Sequence, residues 1–170
     1  MLICRIQFKN TRYEGPFTPP GTKPALSYPG SMGVVDWGGV VVDEDSQILV
    51  VNTSDLPWRA WLTPREKETD KNPVWPQKGT PYVAHNWPFL GPLGVPCTEP
   101  PWGHLEAYDL KTKQLLWRRV IGTARDSGPF RTSLGLPVSI GIPSQGGPIV
   151  TRGGLVFIAG TLDRYLRAFD

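Results

Sequence analysis

The chain has 170 residues, a formal net charge of +3, 19 glycines, 19 prolines and 39% hydrophobic residues. This Gly and Pro content argues against helices and favours short strands joined by turns. Because the basic residues are scattered rather than clustered, we expect no nucleic-acid partner.

The first part of the chain predicts a strand, a loop and a hairpin. Residues 2–8 alternate enough to be a strand, which is followed by a Gly- and Pro-rich loop over 10–37. Two apolar runs at 40–43 and 48–52 flank an acidic turn and therefore predict a hairpin.

Cysteines occur only at Cys4 and Cys97, without the spacing of a metal site. They could form one disulfide, but two buried free thiols are the interpretation that we favour.

The segment 53–103 predicts a long insertion without regular structure. Segments of this length in compact domains are usually functional or disordered. Disorder is the less fitting alternative, because large aromatic side chains need a surface on which to pack. The tryptophans in this segment are Trp58, Trp61, Trp75, Trp87 and Trp102.

A second hairpin is predicted over 105–108 and 115–120, and it closes on Trp117. Another Gly- and Pro-rich loop covers 122–145. The last stretch, 146–170, contains three short apolar runs separated by Gly-containing turns, which predicts a three-stranded meander.

A propeller blade is a four-stranded sheet. When the predicted strands are counted in groups of four, they therefore predict an all-β fold, a partial β-propeller. Residues 1–8 would be the last strand of one blade, 40–120 a complete blade with the insertion 53–103, and 148–170 an incomplete blade. The Ala-aromatic-Asp triplet at 107–109 recurs at 168–170, which supports a repeat. A plain β-sandwich is the alternative. We expect 1–170 to be a fragment of a single propeller domain with both ends missing.

The blade geometry predicts which end of the sheets carries function. The short polar turns at 44–47, 111–114 and 152–154 would lie at one end, and every long loop at the other. The features expected to meet at the long-loop end are Asn52, the glycine pairs at 38–39 and 146–147, and Asp163. Each alone is also typical of an ordinary turn or strand end. Together they predict a pocket for a flat polar ligand, because paired glycines let backbone approach closely and a carboxamide both donates and accepts.

Several motifs resemble one enzyme family. The stretch YPGSMGVVDWGG at 28–39, GVPC at 94–97, PWG at 101–103, DLKT at 109–112 and the run 146–170 are similar to the membrane-bound dehydrogenases of glucose, quinate and shikimate that depend on pyrroloquinoline quinone (PQQ). The resemblance implies an eight-bladed quinoprotein propeller at the periplasmic face of the bacterial inner membrane. An N-terminal membrane anchor, missing here, would precede it.

The resemblance also implies a reaction: oxidation of a sugar or cyclic polyol, as in glucose to gluconolactone. PQQ would take the hydride, a calcium or magnesium ion would polarise the reacting carbonyl, and ubiquinone would receive the electrons. Quinate, shikimate or another polyol is the alternative substrate. The family's proton-accepting Asp and a Lys near the quinone lie upstream, so we assign no catalytic residue and no metal ligand here.

Four residues carry over as cofactor-binding. Asn52 matches an Asn that contacts the quinone, and Asp163 matches an Asp close to it. Gly146 and Gly147 match the glycine pair that opens the last group of strands. Gln145 stands where glucose enzymes often have an apolar residue, which argues against glucose as the substrate.

A cofactor-free propeller that serves as an interaction scaffold is the competing hypothesis. It would have short loops at both ends of its sheets, whereas the long Trp-rich loops favour the enzyme. We expect the 170-residue chain alone to be inactive and poorly folded, because a cut propeller exposes two sheet edges.

Overall fold

The computed structural model describes residues 2–31, 34–70 and 75–170, with only the backbone of Arg131. Residue 1 of the predicted strand 1–8, residues 32–33 of the 28–39 motif and residues 71–74 of the insertion lie outside the described residues. The chain divides into two compact units, Met1–Ser31 with Leu56–Thr98, and Met32–Asp55 with Glu99–Asp170.

One helix and ten strands are found among the described residues. In chain order they are α1 Leu2–Lys9, β1 Ala25–Ser27, β2 Val40–Asp43, β3 Ile48–Ser54, β4 Trp58–Pro64, β5 Tyr82–Pro88, β6 Gly103–Asp109, β7 Gln114–Val120, β8 Ile149–Val150, β9 Val156–Ile158 and β10 Arg167–Phe169. Short 3-10 helices cover Arg65–Lys67, Ala124–Asp126 and Pro129–Arg131.

The second unit contains the predicted complete blade. Its strands form an antiparallel sheet in the order β2-β3-β6-β7, and the insertion departs between β3 and β6. The turn between β6 and β7 is held by Asp109, whose Oδ1 accepts hydrogen bonds from the backbone N–H groups of Lys111 and Thr112 at 2.7 and 2.9 Å. Hydrogen bonds of this kind, from backbone N–H groups to a side chain at the start of the turn, fix the turn and thereby the register of the hairpin.

The predicted meander is also present, as a three-stranded antiparallel sheet in the order β8-β9-β10. Its middle strand packs against the complete blade. Alternate side chains of β3 and β6 point to that interface, because successive residues of a strand face opposite sides of the sheet. The buried core there consists of Val50, Leu105, Ala107, Ile121, Val156 and Ile158. Two consecutive sheets therefore share one apolar layer.

The predicted strand at 1–8 is wrong, because residues Leu2–Lys9 form the helix α1. Leu2, Ile3 and Ile6 recur at helical spacing, and the segment contains neither Gly nor Pro. A helix satisfies its backbone hydrogen bonds internally, whereas a strand needs a neighbour. The C-terminus of α1 is closed by Thr11, whose hydroxyl donates to the carbonyl of Gln7 at 2.7 Å. No helix among the described residues is both long and apolar enough to cross a membrane.

The predicted absence of regular structure in 53–103 is also wrong. Strands β4 and β5 pair antiparallel over seven residues, and β1 adds to them to give a sheet in the order β1-β4-β5. Prolines at the ends of β4 and β5 give the segment a loop-like composition, although each strand contains aromatic and β-branched residues that favour sheets.

The expectation of free thiols is wrong as well. Cys4 of α1 and Cys97 form a disulfide, with Cα atoms 5.5 Å apart across 93 residues of sequence. Such a separation leaves no local signal, so only the fold brings the two side chains together. The bond ties α1 to the segment that follows β5.

Candidate functional site

Asn52 lies near the end of β3, on the face that packs against the next sheet. Its side chain is buried, with 3% of the residue exposed. The Nδ2 group donates a 2.6 Å hydrogen bond to the backbone carbonyl of Ser144, 92 residues further along the chain. The carboxamide therefore links the complete blade to the segment that leads into β8.

Ser144 continues this connection toward β9. It is fully buried, and its hydroxyl donates to the carbonyl of Ala159 at 3.2 Å. Ala159 directly follows the last residue of β9. Asn52 and the C-terminal end of β9 are thus brought to the same end of the two sheets, as the blade geometry predicts.

The predicted glycine pairs meet one another at this place. A Cβ atom on Gly147 would lie 1.9 Å from the carbonyl oxygen of Gly38, and one on Gly146 would lie 2.1 Å from that of Ala159. Two backbone segments cross here with no room for a side chain. Their close mutual packing accounts for both glycines before any ligand is considered. We call this crossing, together with Asn52 and Ser144, the glycine junction.

Asp163 lies in the turn between β9 and β10, and its carboxylate is buried. Arg167 binds it with both terminal nitrogens, and the Thr161 hydroxyl donates to Oδ1 at 2.5 Å. Oδ2 also accepts hydrogen bonds from the backbone N–H and the hydroxyl of Thr123, at 2.8 and 2.9 Å. Burial alone would raise the pKa of Asp163, but the hydrogen bonds from Arg167, Thr161 and Thr123 outweigh it and hold this pKa far below its usual range.

A second buried carboxylate, Glu106, lies on the face of β6 opposite to the one that carries Leu105 and Ala107. It accepts hydrogen bonds from Thr53 at 3.0 Å, from Arg118 at 2.8 Å and from the Tyr108 hydroxyl. Burial would raise the pKa of Glu106, but these hydrogen bonds lower it below the ordinary value. The Tyr108 pKa is raised because its hydroxyl donates to this carboxylate. Glu106 was not among the residues singled out in the sequence.

The polar groups of the glycine junction fit a flat polar ligand such as PQQ, but they do not fit the divalent cation that would accompany it. Asn52 supplies a carboxamide, and the glycines supply side-chain-free backbone next to it. A divalent cation has less to bind: the Asp163 carboxylate is already occupied, and no group of three His, Cys, Asp or Glu residues is assembled in the described part of the chain.

The structure brings three of the four predicted site residues, Asn52, Gly146 and Gly147, to one junction. Asp163 lies beyond the same end of β9, but its carboxylate is directed to Thr123 and Arg167. These two partners, together with Ser144 and Thr161, were not predicted from the sequence. Thr161 and Arg167 are close to Asp163 in sequence and therefore offer a local signal, whereas Thr123 and Ser144 are brought in by the long loop 122–145.

A small cavity of about 80 Å³ lies elsewhere in the second unit. It is lined by Trp117 and Arg119 of β7 and by Phe169 and Asp170 at the end of the chain. None of the predicted site residues lines it, so we place no function there.

A family model agrees with this fold. The model described as "PQQ: Glucose/ethanol/alcohol dehydrogenase, beta-propeller domain" matches residues 1–170. The all-β propeller class expected from the strand pattern is thereby confirmed.

Curated relatives match along nearly all of the chain. It is 44% identical to a "Probable quinate dehydrogenase (quinone)" of Xanthomonas campestris pv. juglandis, covering 99% of this chain and 23% of the relative. It is 41% identical to the "Quinoprotein glucose dehydrogenase" of Escherichia coli, with coverage of 99% and 23%. It is 42% identical to the "Quinate/shikimate dehydrogenase (quinone)" of Acinetobacter baylyi, with coverage of 99% and 22%. The chain thus spans less than a quarter of the length of these relatives.

Proposed function

Because the chain belongs to the β-propeller domain family of PQQ-dependent glucose, ethanol and alcohol dehydrogenases, we propose that it is part of a longer enzyme that oxidises an alcohol group of a sugar or cyclic polyol with PQQ. We call that longer protein the parent enzyme. Glucose is one candidate substrate, and quinate, shikimate or another polyol is the alternative. The names of the relatives include both kinds.

The observation that carries the proposal is the family match over residues 1–170, and the glycine junction is where we propose that this chain contacts the cofactor. A buried carboxamide and a side-chain-free backbone crossing occur together at the end of the sheets where the long loops lie. Rigid sheets that present loops at one end are a common support for a ligand site. Asn52, Gly146, Gly147 and Asp163 are the residues that we propose for the cofactor pocket.

When bound, PQQ supplies the chemistry of accepting a hydride from the alcohol carbon. The residues of this chain act by binding and positioning. Asn52 is held by the Ser144 carbonyl, so its amide keeps one orientation. Asp163 positions the turn between β9 and β10 through Thr123 and Arg167, and it does not transfer a proton in this proposal. The proton acceptor and the ligands of the calcium or magnesium ion belong to other parts of the parent enzyme.

The experiment is reconstitution of the apo parent enzyme. Titration with PQQ in the presence of calcium or magnesium should quench tryptophan fluorescence saturably and produce dye-linked oxidation of a sugar or cyclic polyol. An intact fold that shows neither quenching nor turnover would favour the cofactor-free scaffold. A substrate panel with glucose, quinate, shikimate and glycerol identifies the alcohol.

We further propose that ubiquinone receives the electrons, that an N-terminal anchor holds the parent enzyme in the inner membrane, and that this domain lies on the periplasmic face. The Cys4–Cys97 disulfide supports that location, because disulfides form and persist in oxidising compartments such as the bacterial periplasm. Reduction of ubiquinone by membranes that contain the parent enzyme tests the electron acceptor.

A further inference from the structure

Two guanidinium groups contact the ring of Tyr165, in the turn before β10. The central guanidinium carbon lies 5.6 Å from the ring centre for Arg125 and 5.2 Å for Arg167. Arg125 also donates from Nη1 to the Tyr165 hydroxyl. Two positive charges are therefore held next to one aromatic side chain, at the surface of the long-loop end.

Only one of the two charges is balanced. Arg167 is paired with the buried carboxylate of Asp163. Arg125 forms no ion pair with any residue that the structure describes. Its neighbour Asp126 instead accepts a hydrogen bond from the hydroxyl of Ser133 at 3.1 Å. The charge of Arg125 is thus available to a ligand.

Arg125 is also held in place. Its backbone carbonyl accepts hydrogen bonds from the N–H of Gly135 at 2.9 Å and from the Ser133 hydroxyl at 2.7 Å. The residue before it, Ala124, donates its N–H to the carbonyl of Val138 at 2.9 Å. With the backbone fixed and the Tyr165 contacts orienting the side chain, the exposed guanidinium needs little ordering when a ligand binds.

The remaining donors of Arg125 match a carboxylate. A guanidinium carries five N–H donors in a planar fork, of which one is used by Tyr165. The free donors can bind a carboxylate with two parallel hydrogen bonds. The single negative charge of one carboxylate would also neutralise the single unpaired positive charge of Arg125.

We propose that Arg125, held by Tyr165, binds the carboxylate of an acidic polyol substrate and thereby determines specificity. This proposal rests on the proposed function and narrows its substrate class to hydroxy acids. Arg125 lies two residues after Thr123, which binds Asp163, so the cation is next to the turn assigned to the cofactor pocket. Its exposed position suits a group that enters from solvent with the substrate.

The test compares quinate with its neutral amide as substrates of the reconstituted parent enzyme. We expect kcat/KM for quinate to exceed that for the amide by about tenfold or more, since a charge-assisted hydrogen bond is lost with the amide. Arg125→Gln should lower kcat/KM for quinate by about 10- to 100-fold, mainly by raising KM. The same substitution should lower kcat/KM for the amide much less. Arg125→Lys keeps the charge without the fork and should fall between wild type and Arg125→Gln. Arg152→Gln, in the exposed turn between β8 and β9, is the matched control and should behave as wild type.

Calorimetric titration of quinate into the same proteins, with and without PQQ, provides a measurement that does not depend on turnover. Weaker quinate binding by Arg125→Gln than by Arg152→Gln supports the proposal. Equal binding by the two variants overturns it. If Arg125→Gln loses PQQ affinity and affects both substrates alike, the guanidinium binds the cofactor instead. That result would also overturn the proposal. Absence of any PQQ-dependent oxidation contradicts the proposed function, whereas oxidation without preference for the acid contradicts only this inference.

Discussion

Thr123 and Asp163, 40 residues apart, are joined by two hydrogen bonds to the same carboxylate oxygen. The backbone N–H and the hydroxyl of Thr123 lie 2.8 and 2.9 Å from Asp163 Oδ2. Thr123 follows the last strand of the complete blade, and Asp163 follows the second strand of the next sheet. The pair therefore fastens two consecutive sheets at the end where the glycine junction lies.

Asp163→Asn should destabilise the parent enzyme by about 3–5 kcal/mol, the usual cost of removing one partner of a buried ion pair. Arg167 would lose its carboxylate, and an amide cannot accept on both atoms from Thr123 and Arg167. The measurement is denaturant unfolding of the parent enzyme. Asp45→Asn, in the exposed turn between β2 and β3, is the control and should change stability by less than about 0.5 kcal/mol. An equal effect of the two substitutions would contradict the role of the Thr123–Asp163 pair.

Stability should also fall in acid. The folded-state pKa values of Asp163 and Glu106 lie below their ordinary values of about 3.9 and 4.3, so each carboxylate stabilises the folded state while it is ionised. This contribution is complete above about pH 5 and is lost as the pH falls through the folded-state values. Unfolding free energies measured between pH 7 and pH 3 should decrease, and the decrease should be smaller in Asp163→Asn. A curve that is unchanged by this substitution would count against the assignment.

Gly147→Ala should disrupt the glycine junction. The added methyl group would meet the carbonyl oxygen of Gly38 at 1.9 Å, so one of the two backbone segments would have to shift. We expect a loss of about 1–3 kcal/mol, as for other overpacked sites, together with weaker PQQ binding. Gly153→Ala is the matched control, because its nearest neighbouring atom would lie 4.0 Å away. Thermal unfolding and PQQ titration of both variants distinguish the two sites.

Asn52→Asp should weaken PQQ binding at least tenfold. The new carboxylate would face the Ser144 carbonyl, 2.6 Å from the present nitrogen, and two acceptors repel each other. The side chain would then leave the orientation that we propose for the cofactor contact. The measurement is fluorescence titration with PQQ, with Asn10→Asp, an exposed residue after α1, as the control. Unchanged PQQ affinity in Asn52→Asp would remove Asn52 from the pocket.

The hairpins could be predicted because their signals are local. The apolar runs at 40–43 and 48–52 flank a four-residue acidic turn, and the Asp109 turn is fixed by hydrogen bonds within three residues. Strand pairing follows from such turns, so the four strands of this sheet could be predicted, with ends that differ by at most two residues from those observed.

The elements that were mispredicted depend on distant partners. Residues 2–8 have no turn signal, and α1 is held by a cysteine 93 residues away. The strands β4 and β5 are bounded by prolines, and the pairing of β4 with β1 crosses more than thirty residues of sequence.

The residues of the candidate site also fall into those that the local sequence indicates and those that depend on distant partners. Asn52 and the glycines stand out in the sequence because of where they fall relative to strand ends. Their partners do not: Ser144 and Thr123 enter through a loop whose path is set by packing between the sheets. Asp163 was recognised as a site residue, but its role as the link between two sheets required the positions of Thr123 and Arg167.

The disulfide between Cys4 and Cys97 has a practical consequence for the assays described above. It closes a ring of chain from Cys4 to Cys97, which contains strands β1 to β5 and all of α1 except its first two residues. Protein overproduced in a reducing cytosol, or purified with a thiol reagent, would lose this covalent link. Export to an oxidising compartment, or oxidative refolding, is therefore the appropriate route of preparation.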